Sequence, residues 1–403
     1  MIDKYGRRLD VTWLNDYGRL RNEIDDLRSD KGYLYAGLPK FKALFGRDSL
    51  ISSWQLLDYD SSIAFSTIRV LSSFQGSKVE KSTGEFPGKI LHEYYDDESA
   101  FMLRKASIPW LTRGPSYFSV DSTPLFLLLA ERVFPMMTKT TQKEAYASMI
   151  NAVRFVLNYG IVNGFLGYEK TLSVAGIQSQ SWRDGIGDIL DKLKSPIFTI
   201  GVQGYTYSAL LGAIQIISDF GTDNDRETNR DIVEVASSIK NRLVDNFWID
   251  ETSFFAIATD GDGVAVESVT SDPGHLLFSG ILSRKLERDV IDRLFEGDML
   301  TDYGIRSLSS TDSAFDEKAY QRGSIWPQDN WIIATGLMER GYANYYKDLR
   351  GRMLEAYEKL GTMPEYFSVT KRGELMDINK LRIKPCSPQA WSAGAVLSLM
   401  EGA

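Results

Sequence analysis

Two acidic residues of this chain stand in settings suited to proton chemistry. Asp184 lies in "SWRDGIGD" (Ser181–Asp188), two residues after Trp182, with Arg183 between them and glycines at Gly185 and Gly187. Glu365 lies in "MPEYFSV" (Met363–Val369), between Pro364 and Tyr366. A carboxyl group against an apolar, aromatic wall keeps its proton toward neutral pH, because burial disfavours the charged form. A second carboxylate that stays ionised complements it as a base. Hydrolysis of a glycosidic bond needs such a pair: the acid protonates the leaving oxygen and the base activates water on the opposite face. Inverting enzymes hold the two groups about 6.5–9.5 Å apart and retaining enzymes about 5–5.5 Å. Asp184 is therefore the candidate acid and Glu365 the candidate base. Taken alone, Asp184 also reads as a helix N-cap ahead of "GIGDIL", and Glu365 as a solvated loop acid.

The surrounding pattern favours the site. Seven stretches join Asp, Glu, Gln or Arg to an aromatic within a few residues: Leu44–Ser52, Gly84–Tyr95, Tyr117–Phe126, Gln180–Asp188, Arg322–Asn330, Met363–Val369 and Cys386–Gly394. Aromatic faces stack on the C–H face of a pyranose, while carboxylates, amides and arginine bond its hydroxyls. Aromatics make up 12% of the chain, with 8 Trp and 20 Tyr, so there is ample material for such walls.

Other chemistries find little support. The net charge of −8 comes without a basic block, which argues against a nucleic-acid partner. Two histidines, His92 and His275, and one cysteine, Cys386, are too few for a zinc site. "TDGDGVAVES" (Thr259–Ser268) resembles a calcium loop, but Val264 stands where a third oxygen ligand is needed, so it reads as a glycine turn between two strands. No dinucleotide or P-loop signature is complete, and neither cofactor nor metal is expected, a carboxylate-only magnesium or calcium site being the one metal alternative left open. No apolar run approaches the roughly 18 residues of a membrane span, and "MIDKYGRRLDVTW" has no signal-peptide pattern. With a single cysteine, the expectation is a cytoplasmic protein.

Helical periodicity dominates the chain. It predicts helices at Asp10–Arg28, Ser49–Leu57, Ser61–Phe74, Pro124–Phe134, Lys143–Leu157, Tyr205–Phe220 and Arg226–Phe247. More follow at Pro273–Leu282, Lys285–Phe295, Pro327–Arg340, Tyr342–Leu360 and Pro388–Met400. Strand-like pieces are short: "SYFSV", "GFLGYE" and "FFAIATD". No low-complexity linker divides the chain, so 1–403 reads as one all-α domain. "DSTPLF", "SDPGHLL" and "CSPQAW" each place a capping side chain before a proline at a helix start. His92 and His275 read as hydrogen-bonded structural residues, Cys386 as packed, and Trp54, Trp248 and Trp331 as core.

At these segments the sequence resembles the amylo-α-1,6-glucosidase region of glycogen debranching enzymes and, more broadly, the (α/α)6-barrel inverting glycoside hydrolases, which include glucoamylase-like and mannosylglycerate-hydrolase-like enzymes. "FGRDSLIS", "GKILHE", "YFSVDSTPLF", "SWRDG", "VQGYTYSAL", "GSIWPQDN", "MPEYFS" and "CSPQAWSAGA" follow the family's motifs in order, from about residue 44 to 400. The resemblance implies a six-hairpin toroid of six inner and six outer helices with a few short strands in loops. By position it implies Asp184 as acid and Glu365 as base. Around the first sugar subsite it places Arg47 and Asp48 as hydroxyl clamps, and Trp326 and Trp391 as walls. Glu93, Asp121, Trp182, Gln203, Asp329 and Gln389 complete that set. Trp182 would shape the acid's environment, Arg183 set local charge, and Gly185 let the chain turn close to substrate. For Arg47–Asp48 the competing reading is a surface ion pair. Gly185 departs from the serine usual after the acid, and 403 residues leave no room for a transferase domain or N-terminal β-sandwich. The resemblance thus implies an inverting exo-hydrolase of an α-linked glucoside. The alternatives are hydrolysis of a small glycoside such as glucosyl- or mannosylglycerate, and a non-catalytic sugar-binding module. The expected partner is an oligosaccharide or small glycoside.

Overall fold

The computed structural model describes residues 11–170, 178–185 and 189–402. Its α-helices are α1 (Val11–Leu27), α2 (Gly46–Gln55), α3 (Ser61–Ser73), α4 (Glu98–Ser107), α5 (Ser122–Val133) and α6 (Lys139–Phe155). They continue with α7 (Ile200–Phe220), α8 (Asp223–Phe247), α9 (Arg284–Leu294), α10 (Pro327–Glu339), α11 (Ala343–Leu360) and α12 (Ala390–Glu401). A 3₁₀ helix, Asp272–Ser279, lies between α8 and α9.

Packing sorts these elements into two rings. α2, α5, α7, the 3₁₀ helix, α10 and α12 contact one another in that order, and α12 closes back on α2. Around them, α1, α3, α6, α8, α9 and α11 each pack on inner elements. This is the (α/α)6 barrel the resemblance implied. Sequence explains the sorting. Every residue of α12 from Ala390 to Met400 and of α10 from Pro327 to Leu337 is buried, as an element surrounded on all sides requires. Outer α8 instead buries Ile232, Ala236, Ile239, Leu243 and Phe247, one stripe at helical spacing, and turns its charges outward.

Four expectations need correction. The helix foreseen at 273–282 is the tighter 3₁₀ turn Asp272–Ser279, ended by Gly280 at φ 69°, and Pro273 and Gly274 occupy its first turn. α4 gave no sequence signal because its apolar set is short: Ala100 and Phe101 are buried, while Met102 and Leu103 face outward. "SYFSV" is not a strand, since only Ser116 bridges, to Glu93. Trp248 is half-buried on a two-residue strand rather than core. The strands are otherwise short and antiparallel; Ala258–Asp260 pairs with Ala265–Val266, the glycine-turn hairpin expected at Thr259–Ser268, and on its other side with Ile197–Thr199. Asp10, the N-terminal 1–10 segment and the "IGD" of "SWRDGIGD" lie outside the described residues. Among those described, no helix is long and apolar enough to cross a membrane, and no group of three or more His, Cys, Asp or Glu could hold a metal ion.

The inner elements begin at residues the sequence had marked. α2 opens on Gly46-Arg47-Asp48, α5 follows Asp121, α10 follows Trp326, and α12 follows Gln389. The starts at Asp121, Ser271 and Gln389 make no side-chain capping bond, contrary to the capping expectation. Asp121 and Asp272 instead spend their oxygens on buried arginines, Arg47 and Arg183.

Candidate active site

A cavity of about 620 Å³ opens among these helix starts. Arg47, Asp48, Trp182, Asp184, Gly185, Tyr320, Trp326, Glu365 and Trp391 line it, and the exposed Ser107, Pro109, Gln178 and Asp191 mark its rim. A second depression of about 740 Å³, between Ser313–Glu317 and Thr370–Glu374, is larger but shallow and contains no tryptophan and neither candidate carboxyl group.

Asp184 reaches the cavity from the segment between the 165–166 strand and α7. Its side chain is 29% accessible, enough to meet a ligand. Burial raises its pKa above the ordinary aspartate range, while the cations of Arg47 and Arg104 pull the other way. Arg47 Nη1 lies 3.3 Å from Asp184 Oδ2. Arg183 does not face the cavity. It is wholly buried, donating from Nε to Asp272 Oδ2 at 2.8 Å, from Nη1 to Gln321 O at 2.8 Å, and from Nη2 to Ser307 O. Its work is to anchor the acid's segment to neighbouring loops. Trp182 Nε1 donates to Asp272 Oδ1 at 2.8 Å, and its ring meets Trp326 edge-on at 5.7 Å. Gly185 is closely packed: a Cβ there would lie 2.7 Å from Gln321 Oε1 and 3.0 Å from Tyr320 Cδ1, so a side chain would force one of them to shift.

Glu365 lines the same cavity and is 3% exposed. Its Oε1 accepts from the Tyr320 hydroxyl and its Oε2 from the Cys386 backbone N–H at 3.0 Å. Burial raises its pKa; the Tyr320 and Cys386 bonds and the Lys40 charge oppose that rise, and Asp184 adds to it. Asp48 is pushed to about 8, chiefly by burial, with Asp184 and Glu365 reinforcing it against Arg47. It therefore keeps a proton at neutral pH, and Gln389 Nε2 lies 3.3 Å from its Oδ1.

The structure thus gathers Arg47, Asp48, Trp182, Asp184, Trp326, Glu365 and Trp391 around one cavity, and Arg47 and Asp48 are buried rather than a surface pair. The remaining expected binding residues do not line it. Asp121 holds Arg47 Nε at 2.7 Å; Glu93 holds Arg104 Nε at 3.2 Å and the Tyr95 hydroxyl at 3.1 Å; Asp329 holds His275 Nε2 at 2.7 Å. Gln389 backs Asp48, as described. Gln203 lies away from the cavity, and its amide bonds backbone at Leu166 and Thr199. Among the histidines, His275 is bonded as expected, also to Tyr205 at 2.6 Å. His92 is not: both ring nitrogens lack a hydrogen-bond partner among the described residues, and burial drives its pKa well down. Cys386 is buried.

Sequence reasoning missed Tyr320, Gln321, Lys40 and Arg104. Tyr320 and Gln321 directly precede a quoted motif, which was the one available signal. Arg104 arrives on the unforeseen α4, and Lys40 lies in a loop without periodicity.

Among known proteins, residues 198–373 match the mannosylglycerate hydrolase MGH1-like glycoside hydrolase domain. No curated protein matches the chain. In the solved structures the fold is similar to that of GH63 mannosylglycerate hydrolase from Thermus thermophilus. In its complex with Tris that enzyme is 13% identical, with 96% of this chain and 100% of that one covered and a TM-score of 0.70. In complex with glucose it is 14% identical, with the same coverage and a TM-score of 0.68. A wild-type glycosidase is 13% identical over 97% of this chain and 98% of its own, at a TM-score of 0.63. Residues 198–373, which include Tyr320, Trp326 and Glu365, thus match a glycoside hydrolase domain. That match does not support the debranching enzymes in particular.

Proposed function

We propose that this glycoside hydrolase cleaves an α-linked hexoside carrying a small, acidic aglycone of the glycerate type, with inversion, and that residues 1–403 act as one catalytic barrel. The observation that carries this reading is that Asp184 and Glu365 line one tryptophan-walled cavity, with burial raising the pKa of Asp184 as a general acid requires. At about 620 Å³ the cavity falls within the roughly 300–1,000 Å³ of small-molecule sites. That suits a disaccharide-sized glycoside better than a polymer branch. Two cations favour the acidic aglycone. Lys40 lines the cavity near Glu365 and has no ion-pair partner among the described residues, and Arg104 lines it beside Asp184. The match of 198–373 to a mannosylglycerate hydrolase-like domain supports the same substrate class.

In the reaction, Asp184 passes its proton to the glycosidic oxygen as the bond to the anomeric carbon breaks. Glu365 takes a proton from water as that water attacks the anomeric carbon from the opposite face. The aglycone leaves as an alcohol and the sugar appears with inverted configuration. Trp326 and Trp391 wall the ring, and protonated Asp48 and charged Arg47 bond its hydroxyls. The second reading, an amylo-α-1,6-glucosidase-like α-glucosidase, rests on the order of the sequence motifs alone.

A time course by NMR on mannosylglycerate, glucosylglycerate, isomaltose, maltotriose and a branched limit dextrin tests both readings. Initial release of the β-anomer from a glycerate glycoside is the expected result. Release from isomaltose or the dextrin alone would favour the second reading. Initial α-anomer would overturn the acid and base roles, and binding without product from any of them would indicate a sugar-binding module.

A further inference from the structure

Two consecutive side chains outside the assigned acid and base connect them physically. The Tyr320 hydroxyl donates to Glu365 Oε1, and the ring is wedged edge-on between Trp326 at 4.9 Å and Tyr366 at 5.0 Å. Its Cδ1 lies 3.0 Å from the point where Gly185 would carry a Cβ, so the ring rests on the backbone immediately after Asp184. The next residue, Gln321, accepts the Gly185 N–H at 2.9 Å through Oε1 and donates from Nε2 to the Trp182 carbonyl at 2.7 Å. Its own carbonyl takes Arg183 Nη1 at 2.8 Å. The backbone on both sides of Asp184 is thus fastened to Gln321, while the carboxylate of Glu365 is fastened to Tyr320.

We propose that Tyr320 and Gln321 form a spacer that sets the separation of acid and base, Tyr320 as the positioning residue for Glu365 and Gln321 for Asp184. This deepens the proposed function and rests on it. Inverting and retaining geometries differ by only a few ångströms of carboxyl separation, and a misplacement of about 1 Å can cost about a hundredfold in rate. Two segments tethered separately could not hold that tolerance relative to each other. A dipeptide bonded to both can, because motion of either loop must carry the other with it. The Tyr320 hydroxyl has a further effect: a hydrogen bond donated to Glu365 favours its ionised form.

The test compares Tyr320→Phe and Gln321→Leu on the glycoside that is turned over and on the matching α-glycosyl fluoride, whose leaving group needs no strong acid. Tyr320→Phe is expected to lower kcat about 10–100-fold on both substrates with little change in KM, and to move the acidic limb of kcat/KM to higher pH. Gln321→Leu is expected to lower kcat by a similar factor on the glycoside, to recover on the fluoride, and to leave the acidic limb in place. Rates within about twofold of the parent in both variants, or losses confined to KM, would overturn the spacer. So would the same loss on both substrates for Gln321→Leu. Calorimetric binding of a cationic iminosugar from pH 4 to 8 provides a readout independent of turnover. The pH at which affinity falls on acidification should rise in Tyr320→Phe and hold in Gln321→Leu, and unchanged behaviour in both would count against the proposal. Asp184→Asn and Glu365→Gln are run beside them. Activity surviving in those would overturn the glycosidase reading, whereas their inactivity with an unaffected Tyr320→Phe would overturn the spacer alone.

Discussion

Arg47 holds two carboxylates unequally, with Nε 2.7 Å from Asp121 Oδ2 and Nη1 3.3 Å from Asp184 Oδ2. Asp121 is 1% exposed and also accepts from Ser119 Oγ at 2.7 Å, so it is the arginine's closer and more deeply buried partner. Asp184 faces the cavity and is left free to gain and lose a proton. Arg47→Met would strand the Asp121 charge in the interior. It is expected to destabilise the fold by about 3–5 kcal/mol, the usual penalty for breaking a buried pair from one side. Adding Asp121→Asn should return part of that loss, since the stranded charge disappears. Urea midpoints of the single and double variants check this, and a double variant no better than Arg47→Met would contradict it.

The cations at the cavity act on different carboxyl groups, which gives paired pH predictions. Lys40 lowers the pKa of Glu365, and Arg104 lowers that of Asp184. The base must be ionised and the acid protonated, so Glu365 sets the acidic limb of kcat/KM and Asp184 the alkaline limb. Lys40→Met removes a charge that favours the Glu365 anion, and the acidic limb should move to higher pH. Arg104→Gln, which keeps a donor for Glu93, should let the Asp184 pKa rise further and move the alkaline limb to higher pH. Both should raise KM for an acidic aglycone about tenfold and leave a neutral one nearly unaffected, as expected for a lost ion pair. pH–rate profiles on both substrate types measure each effect.

Asp48 predicts a stability trend of opposite sign to ordinary acid denaturation. Its pKa is raised to about 8 in the folded chain, whereas an unfolded aspartate titrates near 4. Between those values the folded state holds a proton that the unfolded state has released, so stability falls as pH rises. The slope for this one group is about 1.4 kcal/mol per pH unit, and it levels off above the folded value. Asp48→Asn removes this slope. The variant should gain on the parent steadily from about pH 5 to 8 in urea denaturation, and parallel curves would refute the assignment.

What the sequence disclosed follows from the range of the forces involved. The helices were legible from periodicity, which is carried within a dozen residues, but the barrel entered through the resemblance; that an inner helix is apolar all round and an outer one on a single stripe, as in α12 and α8, emerges with the fold. Asp184, Glu365 and the tryptophans were legible because each stands at a helix start or loop with its aromatic neighbours beside it. The outer layer of the site was not. Tyr320 meets Glu365 across 45 residues and Gln321 meets Trp182 across 139, contacts that no local pattern encodes. Asp121 and Asp272 looked like caps, and only the fold shows that buried arginines claim them. Gln203 belonged to a motif at the right end of α7, yet its amide is consumed by backbone before it could reach a ligand.

Gly185 supplies the last test, because the resemblance and the packing disagree about it. The resemblance favours serine after the acid, so Gly185→Ser should be harmless if this chain merely lacks an optional hydroxyl. The packing says otherwise, since a Cβ would stand 2.7 Å from Gln321 Oε1 and 3.0 Å from the Tyr320 ring. One of three things must yield: the Gly185–Gln321 bond, the Tyr320 ring, or the position of Asp184. Overpacking of this kind costs about 1–3 kcal/mol of stability, and the larger effect falls on rate, because displacing the acid by about 1 Å can cost about a hundredfold. Gly185→Ser is expected to retain its cooperative unfolding with a modestly lower Tm and to lose at least tenfold in kcat. Gly185→Ala, with the same Cβ and no hydroxyl, should lose a comparable factor. Equal losses in the two variants would assign the effect to the Cβ. A serine variant with the parent's kcat would show instead that the loop relaxes around it, and that Asp184 is held by Arg47 and Arg183 without help from Gln321.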